Sequence, residues 1–243
     1  MKKNFLFIIL IITGLILLSC KGDPGPAGAV GEDGKPLYVQ MFQNQVYPNS
    51  LYQDVSDNYI IDFYPNNNYG ECDNFILMSS SIAKSRITLK FINLENFIPA
   101  NVTITNAYLV LYGGNAITYT VSSICAYKLT KDWTEGTGTC VTPTTTNSSW
   151  TNYSGSFAWT IPGGDFDTTP VSDAVKINTF QAYYSLKLKT ELIKEWIQSP
   201  ITNYGVLIKA VDETKNSVMY FASSENTADL TWRPKLFIYY TIP

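Results

Sequence analysis

From Leu37 to the end of the chain, apolar and polar residues alternate in short runs that are separated by turn residues. The runs are rich in Tyr, Ile, Val, Thr and Phe, and the turns in Asn, Gly, Ser and Pro, which is typical of strands joined by loops. The clearest predicted strands are 86–91, 102–112, 121–129, 206–211, 218–222 and 235–240. Because no helical runs separate them, the pattern predicts one all-β domain, a single jelly-roll-like β-sandwich.

One segment departs from the strand pattern, at residues 190–198. Leu192 and Trp196 are spaced as on one face of a helix, with Thr190 as the expected N-cap. Pro200 follows and ends the helical pattern. The sequence therefore predicts one short helix, which we expect to pack over an open end of the sandwich.

The chain begins with a short basic segment followed by an apolar one. Lys2 and Lys3 precede an apolar run over residues 5–18, which is shorter than the ~20 apolar residues that span a bilayer. The run ends in Leu-Leu-Ser followed by Cys20, which resembles the lipobox of bacterial lipoproteins. The resemblance implies that residues 1–19 are a removed signal peptide and that Cys20 carries lipid. It implies attachment to a bacterial membrane, facing the cell surface or the periplasm; the alternative is an ordinary signal with a coincidental cysteine.

Glycine occupies every third position between Gly22 and Gly34. This spacing resembles a collagen Gly-X-Y tract, in which only glycine fits at the axis of the triple helix. Two interpretations remain open, an extended spacer in a monomer and a stalk that forms a trimer. In either case residues 20–36 separate the membrane from the domain, which we place at residues 37–243.

The composition excludes several classes of chemistry. The chain has no histidine, so a Ser-His-Asp or Cys-His catalytic site and a histidine-ligated metal are ruled out. Its formal net charge is −3, and the absence of a basic patch argues against nucleic acid as a partner. Aromatic residues make up 14% of the chain and charged residues only 15%, which is below the ~25% of an average domain. We expect no cofactor and no catalytic activity.

If Cys20 is lipidated, three cysteines remain for one internal disulfide. A strand over 121–129 followed by a reversal would place Cys140 opposite Cys125, within reach of a disulfide. The sequence therefore predicts a Cys125–Cys140 bridge. The alternative is a Cys72–Cys140 bridge that joins two loops.

Several segments in the domain together resemble the DNRLRE family, a β-sandwich module also classed among carbohydrate-binding modules. They occur in the family's order and span about residues 52–241. The matching pieces are 57–60, 68–70, Arg86, 90–91, 98–109, 132–138, Trp150, Trp159, 163–165, 192–196, 203–205, 223–225 and 233–236. The chain departs from the family in its extra cysteines and in the spelling of the motif that gives the family its name. The resemblance implies a jelly-roll-like sandwich and, less directly, glycan binding; it also implies structural roles for Trp133 and Glu135.

Aromatic residues crowd the long, polar, turn-rich segment 136–175. Trp150, Tyr153 and Trp159 lie within ten positions of one another, and aromatic rings bury a large area on an apolar surface such as the CH face of a sugar. Loops of this length are usually functional. We therefore predict that a glycan site, if present, lies on the part of this segment from Gly138 to Asp167; the alternative is a small satellite core that holds the loop down.

Charged residues complete the candidate ligand site. Asp165 and Asp167 offer carboxylates that hydrogen-bond sugar hydroxyls and are weak calcium candidates, although turn formation is the default role. Arg86 and Lys90 share a strand face and could contact an acidic glycan. A solvated face, or a pair with Glu225, is the competing interpretation.

These features predict an exported, membrane-anchored lipoprotein that carries a non-catalytic carbohydrate-binding-like sandwich. Its expected partners are the membrane, through the lipid on Cys20, and a polysaccharide or cell-surface glycan. The alternative is a structural or adhesive surface protein that binds another protein, as a monomer or as a collagen-like trimer.

Overall fold

The computed structural model of the chain describes residues 34–114 and 122–243. The signal segment, Cys20 and most of the Gly-X-Y tract lie outside the described residues. Within the described ranges, no helix is long and apolar enough to cross a membrane.

The described residues form strands over most of the predicted runs. The bounds are β1 Leu37–Phe42, β2 Val55–Ile61, β3 Asn74–Ser79, β4 Ser85–Phe91, β5 Thr103–Gly113, β6 Ser122–Leu129, β7 Asn152–Ser154, β8 Phe157–Ala158, β9 Phe166–Pro170, β10 Val175–Ile177, β11 Ala182–Leu188, β12 Val206–Ala210, β13 Ser217–Ala222 and β14 Lys235–Thr241. One α-helix, α1, spans Thr190–Gln198, and three short 3₁₀ helices in the described part of the chain span Leu94–Asn96, Pro200–Thr202 and Leu230–Trp232. All six predicted strands are confirmed, with shifts of one residue at some ends, as far as the described residues extend.

The strands pair into two antiparallel sheets and one small hairpin. The first sheet has the order β1-β14-β5-β13-β3, with β11 also paired to β5. The second sheet has the order β10-β6-β12-β4-β2, with β9 also paired to β6, and β7 pairs with β8. The predicted all-β sandwich is thus confirmed.

The main hydrophobic core lies between the two sheets. Leu109 in β5 and Phe221 in β13 come from the first sheet, and Leu89 in β4 and Ile208 in β12 from the second; all four are fully or almost fully buried. In β5 the buried residues alternate with partly exposed ones, because successive side chains of a strand point to opposite faces. Burial of this apolar area is the main term that stabilises the sandwich.

The helix lies where it was predicted and packs its apolar face into the main core. Ile193 and Trp196 are buried there. The N-cap assignment was wrong by one position: Lys189 is the N-cap, without a side-chain cap hydrogen bond, and Thr190 is the first helical residue.

The long segment after β6 covers the outer face of the second sheet. Leu207 in β12 points to that face, whereas its neighbours Val206 and Ile208 point into the main core. Leu207 packs with residues of β6 and the long segment in a separate cluster, here called the second core, which consists of Leu129, Trp133, Trp159 and Leu207. The second sheet is therefore covered on both faces.

The predicted Cys125–Cys140 disulfide is wrong, and the alternative Cys72–Cys140 bridge is present. Cys125 lies in β6, where it pairs with Lys209 of β12, and its thiol is free and buried. The chain leaves the sheet after β6 instead of folding back as a hairpin. It crosses to the segment between β2 and β3, where Asn68 forms a β-bridge with Thr144.

Candidate functional site

Trp159 lies in the interior, so it does not offer a ring face to a ligand. Only 4% of its surface is exposed, and its indole N–H donates to the Ser149 carbonyl at 2.9 Å. Tyr153 packs against it with 5.7 Å between ring centres and is itself only partly exposed. The satellite-core interpretation therefore holds for Trp159, and Tyr153 packs against that core.

Arg86 is already fully engaged by protein groups. Its Nε and Nη2 donate to the two carboxylate oxygens of Glu213 at 2.8 and 2.9 Å, and its Nη1 donates to the Gly163 carbonyl at 2.7 Å. The guanidinium carbon lies 4.9 Å from the ring centre of Trp150. Arg86 therefore packs on the Trp150 ring and holds the loop at Gly163 in place. Its ion-pair partner is Glu213 and not Glu225.

Lys90 also binds the protein itself. Its ammonium donates to the Trp133 carbonyl at 3.0 Å and to Asp132 Oδ1 at 3.3 Å. It lies 5.0 Å from the centre of the Trp133 ring, a distance at which cation–π attraction contributes. Lys90 thus holds the turn after β6 against the second sheet.

Asp165 performs the turn role that was its default interpretation. Its two carboxylate oxygens accept hydrogen bonds from the backbone amides of Thr160 and Ile161 at 2.9 and 3.0 Å. Partial burial opposes ionisation of Asp165, but these hydrogen bonds outweigh it and hold its pKa below the usual value. Asp167, two residues later in β9, is exposed.

Three of the predicted site residues line one open depression beside the loop. Arg86, Asp165 and Asp167 border it together with Lys131 and Phe166. The depression, here called the loop depression, has a volume of about 440 Å³, within the range of small-molecule sites. Most of its lining residues are polar or charged, although more of the lining surface is apolar than polar, and Phe166 is its one aromatic residue.

A larger group of aromatic rings lies elsewhere, on the outer face of the first sheet. Along β5, Leu109 and Leu111 are buried in the main core, whereas the residues between and beside them point outward. We call this outer surface the aromatic face; it consists of Tyr108, Tyr112, Tyr183, Trp232, Phe237 and Tyr239. Tyr183 has 49% of its surface exposed, and the other five are partly exposed. No described segment covers this face in the way that the long segment covers the second sheet.

The rings of the aromatic face contact one another. Tyr112 is stacked on Trp232 with 4.6 Å between ring centres, and it also meets Tyr183 at 5.0 Å. Tyr108 meets Tyr239 edge-on at 6.0 Å. These contacts limit the rotation of each ring, so little entropy is lost when a ligand lies against them.

Polar groups are interspersed among these rings. The Lys235 ammonium lies 4.6 Å from the centre of the Tyr183 ring, and the Tyr183 hydroxyl donates to the Thr231 carbonyl at 3.2 Å. Two hollows open on this surface. One, of about 320 Å³, lies between Tyr112, Trp232, Tyr220 and Asn74; the other, of about 280 Å³, lies between Tyr108, Val110, Ser185, Phe237 and Tyr239.

The sequence contained a signal for the aromatic face that strand prediction did not use. Over residues 107–112 of β5 and 236–240 of β14, both sets of alternating positions are apolar or aromatic, whereas a sheet with one solvated face normally shows polar residues at every second position. Such strands are buried on both sides or carry an exposed apolar surface. Deciding between these outcomes requires knowing which face the rest of the chain covers.

No protein-family model matches the chain, and no curated protein is significantly similar to it. The candidate sites therefore stand on the geometry of the chain's own residues.

Proposed function

We propose that this protein is an exported, membrane-anchored lipoprotein whose β-sandwich binds polysaccharide or a cell-surface glycan without catalysis. The aromatic face is the observation that carries the proposal, and it replaces the long loop as the proposed site. Aromatic side chains bury large apolar area at low entropic cost, and their faces complement the apolar CH surfaces of sugar rings.

The layout of the aromatic face suits an extended ligand better than a compact one. Its two hollows lie on one side of the same sheet, one beside Tyr112 and the other beside Tyr108. These two residues are four positions apart in β5, which at ~3.4 Å per residue separates them by roughly 13 Å. A linear chain of sugar units can contact both hollows at once.

Polar side chains around the rings supply hydrogen bonds for sugar hydroxyls. Asn74 borders the first hollow and Ser185 the second. Lys187, exposed in β11, pairs in register with Tyr108 and therefore lies on the same side of the sheet. A few placed polar groups within an aromatic surface are typical of small-molecule recognition sites.

Truncating the aromatic face is expected to weaken glycan binding. Tyr183→Ala and Trp232→Ala should each reduce affinity by about 1–3 kcal/mol, by analogy with stacking of bases on aromatic side chains, which is roughly 5- to 150-fold in Kd. The ligand is first found by probing a glycan array with the detergent-solubilised protein. Binding of each variant to that glycan is then measured by isothermal titration calorimetry.

Two control variants separate the proposed site from its rivals. Phe157→Ala removes an exposed aromatic ring from β8, outside the aromatic face, and should leave binding unchanged. Asp167→Asn tests the loop depression; loss of binding in this variant, with Tyr183→Ala unaffected, would place the site there. Binding of no glycan on the array would instead favour the structural or adhesive alternative, with a protein partner.

The lipid anchor is tested separately from glycan binding. Cys20→Ser removes the residue that is proposed to carry the lipid, and the protein should move from the membrane fraction to the soluble fraction, since two acyl chains or an equivalent second signal are needed for stable attachment. Cell fractionation followed by immunoblotting measures this. A variant that stays as tightly membrane-bound as the wild-type protein rules the anchor out.

A further inference from the structure

Three acidic side chains from distant parts of the chain meet at one end of the sandwich. Asp57 lies in β2, Glu135 in the segment after β6, and Glu225 just after β13. One carboxylate oxygen of each lies within 4.8 Å of the others. We call these three residues the carboxylate cluster. It is separate from the aromatic face and from the loop depression.

Asp57 is fully buried on the inner side of its strand. Val55 and Tyr59, two positions before and after it, belong to the main core, so Asp57 points to the same side, between the sheets. Its Oδ2 accepts a hydrogen bond from the Ser224 amide at 2.8 Å. No donor group among the described residues binds its Oδ1, and the Asp57 carboxyl lies within hydrogen-bond reach of the Glu225 carboxyl. A buried carboxylate with an unpaired oxygen is costly and is rarely left uncompensated.

Glu225 also has an unpaired oxygen in the cluster. Its Oε1 accepts from the Ser224 hydroxyl at 2.7 Å, and its buried Oε2 meets no donor group in residues 34–114 and 122–243. Glu135 is held in place by the backbone, because its Oε1 accepts from the Asp57 amide at 2.6 Å. The Asn68 side-chain amide donates to the Glu135 carbonyl, so the loop position of this residue is fixed as well.

The nearest cationic side chains do not compensate the cluster by direct contact. Arg233 donates to the carbonyls of Asn226 and Asn44 and to Gln45 Oε1, at 2.8–3.1 Å. Lys90 is bound at the Trp133 carbonyl. Both affect the cluster only through longer-range attraction.

The burial and close approach of the three carboxyl groups favour their neutral, protonated forms. Burial and the proximity of the other two carboxylates raise the pKa of Asp57 well above its usual value. Burial, with repulsion from Glu225, raises the pKa of Glu135 to about 8 despite the hydrogen bond from the Asp57 amide. Burial also raises the pKa of Glu225.

We infer that the carboxylate cluster is a calcium-binding site. Oxygen ligands lie 2.3–2.6 Å from Ca²⁺, so any two ligands of one ion are at most about 5 Å apart. The three carboxylate oxygens of the cluster meet this condition, because they lie within 4.8 Å of one another. The donors are all hard oxygens, which select Ca²⁺, Mg²⁺ or Mn²⁺ over softer metals. Calcium fits best, because it accepts irregular geometry and carboxylates, whereas Mg²⁺ demands a near-ideal octahedron and retains its waters.

The position of the site gives the ion a structural role. It would join β2, the long segment after β6 and the end of β13, which hydrogen bonds from the Asp57 and Ser224 amides also connect. The earlier calcium candidates, Asp165 and Asp167, are weaker ligands for an ion. Both carboxylate oxygens of Asp165 already accept hydrogen bonds from backbone amides of the turn.

The test is a calcium titration of the full-length protein in detergent after removal of metal with EDTA. Saturating calcium, at about 100 times Kd, is expected to raise the Tm by roughly 5–10 °C, with a one-site heat of binding in calorimetry. Mg²⁺ and Mn²⁺ are titrated in parallel, and tighter binding of either would overturn the assignment to calcium.

Three variants locate the ion. Asp57→Asn and Glu225→Gln should abolish the calcium-dependent rise in Tm while leaving the Tm in EDTA close to that of the wild-type protein, because each replaces a buried carboxyl group with a neutral amide of the same size. Asp167→Asn is the matched control and should keep the full rise. If none of the three cations changes the Tm of the wild-type protein, the carboxylates share protons and bind no metal. If the calcium-dependent rise in Tm is lost in Asp167→Asn but kept in Asp57→Asn, the ion binds elsewhere.

Discussion

Replacing Trp159 with alanine is expected to lower the free energy of unfolding by about 3–5 kcal/mol, the usual cost of removing a buried tryptophan. Trp159 is 4% exposed and packs with Trp133 and Leu207 in the second core. The substitution leaves a cavity there. It also removes the hydrogen bond of 2.9 Å that the indole N–H donates to the Ser149 carbonyl. Urea denaturation of the purified protein measures the change.

The matched control for this prediction is Phe157→Ala. Phe157 lies two residues earlier in the same hairpin region but is 65% exposed, so its loss should change stability by no more than about 0.5 kcal/mol. Trp159→Phe should fall between the two, because it keeps an aromatic ring in the second core and loses only the N–H and part of the volume. If Trp159→Ala unfolds at the same urea concentration as wild type but binds glycan more weakly, then Trp159 is a binding platform after all.

Local patterning predicted the helix and six of the fourteen strands in the described residues, but not the short strands β7, β8 and β9 within the long segment. The apolar run over 206–211 predicted β12, and the helical spacing of Leu192 and Trp196 predicted α1 to within one residue at its start. Both signals arise within a few neighbouring residues, and the tertiary structure agrees with them. The error at the helix start, Thr190 instead of Lys189 as N-cap, reflects the usual uncertainty of one or two residues at helix ends.

The exposure of aromatic side chains could not be predicted in the same way. Trp159 and Tyr112 are both aromatic residues in β-rich sequence, yet the first is in the second core and the second lies on the aromatic face. The difference arises because the long segment folds over the second sheet and not over the first. That choice depends on contacts such as Arg86 with Gly163, which connect positions far apart in the chain.

The carboxylate cluster illustrates the same limit for the candidate sites. Asp57, Glu135 and Glu225 are separated by 78 and 90 positions in the sequence, and no local spacing relates them. Glu135 was assigned a structural role at a turn, which its hydrogen bond to the Asp57 amide supports. The presence of two further carboxylates beside it depends on how the strands pair and on where the long segment crosses.

Removing the Cys72–Cys140 disulfide is expected to lower the free energy of unfolding by about 4 kcal/mol. The two cysteines are 68 positions apart, and closing a loop of this length restricts the unfolded chain by about that amount in the loop-entropy model. The Cα atoms are 4.8 Å apart, within the range that a disulfide accepts. The variant Cys72→Ala/Cys140→Ala, compared with wild type by urea denaturation, measures the effect.

The control for the disulfide is Cys125→Ala, which removes the free buried thiol of β6 and should cost only about 1 kcal/mol. Non-reducing peptide mapping should recover a peptide that joins Cys72 to Cys140, and a peptide linked through Cys125 would contradict the pairing. If the double variant is as stable as wild type, the Asn68 hydrogen bonds to Glu135 and Ser148 suffice to hold the loop. Because the bridge lies close to those bonds in sequence, its loss should also make Glu135 more mobile and lower the affinity of the carboxylate cluster for an ion. Cys125→Ala should not lower this affinity.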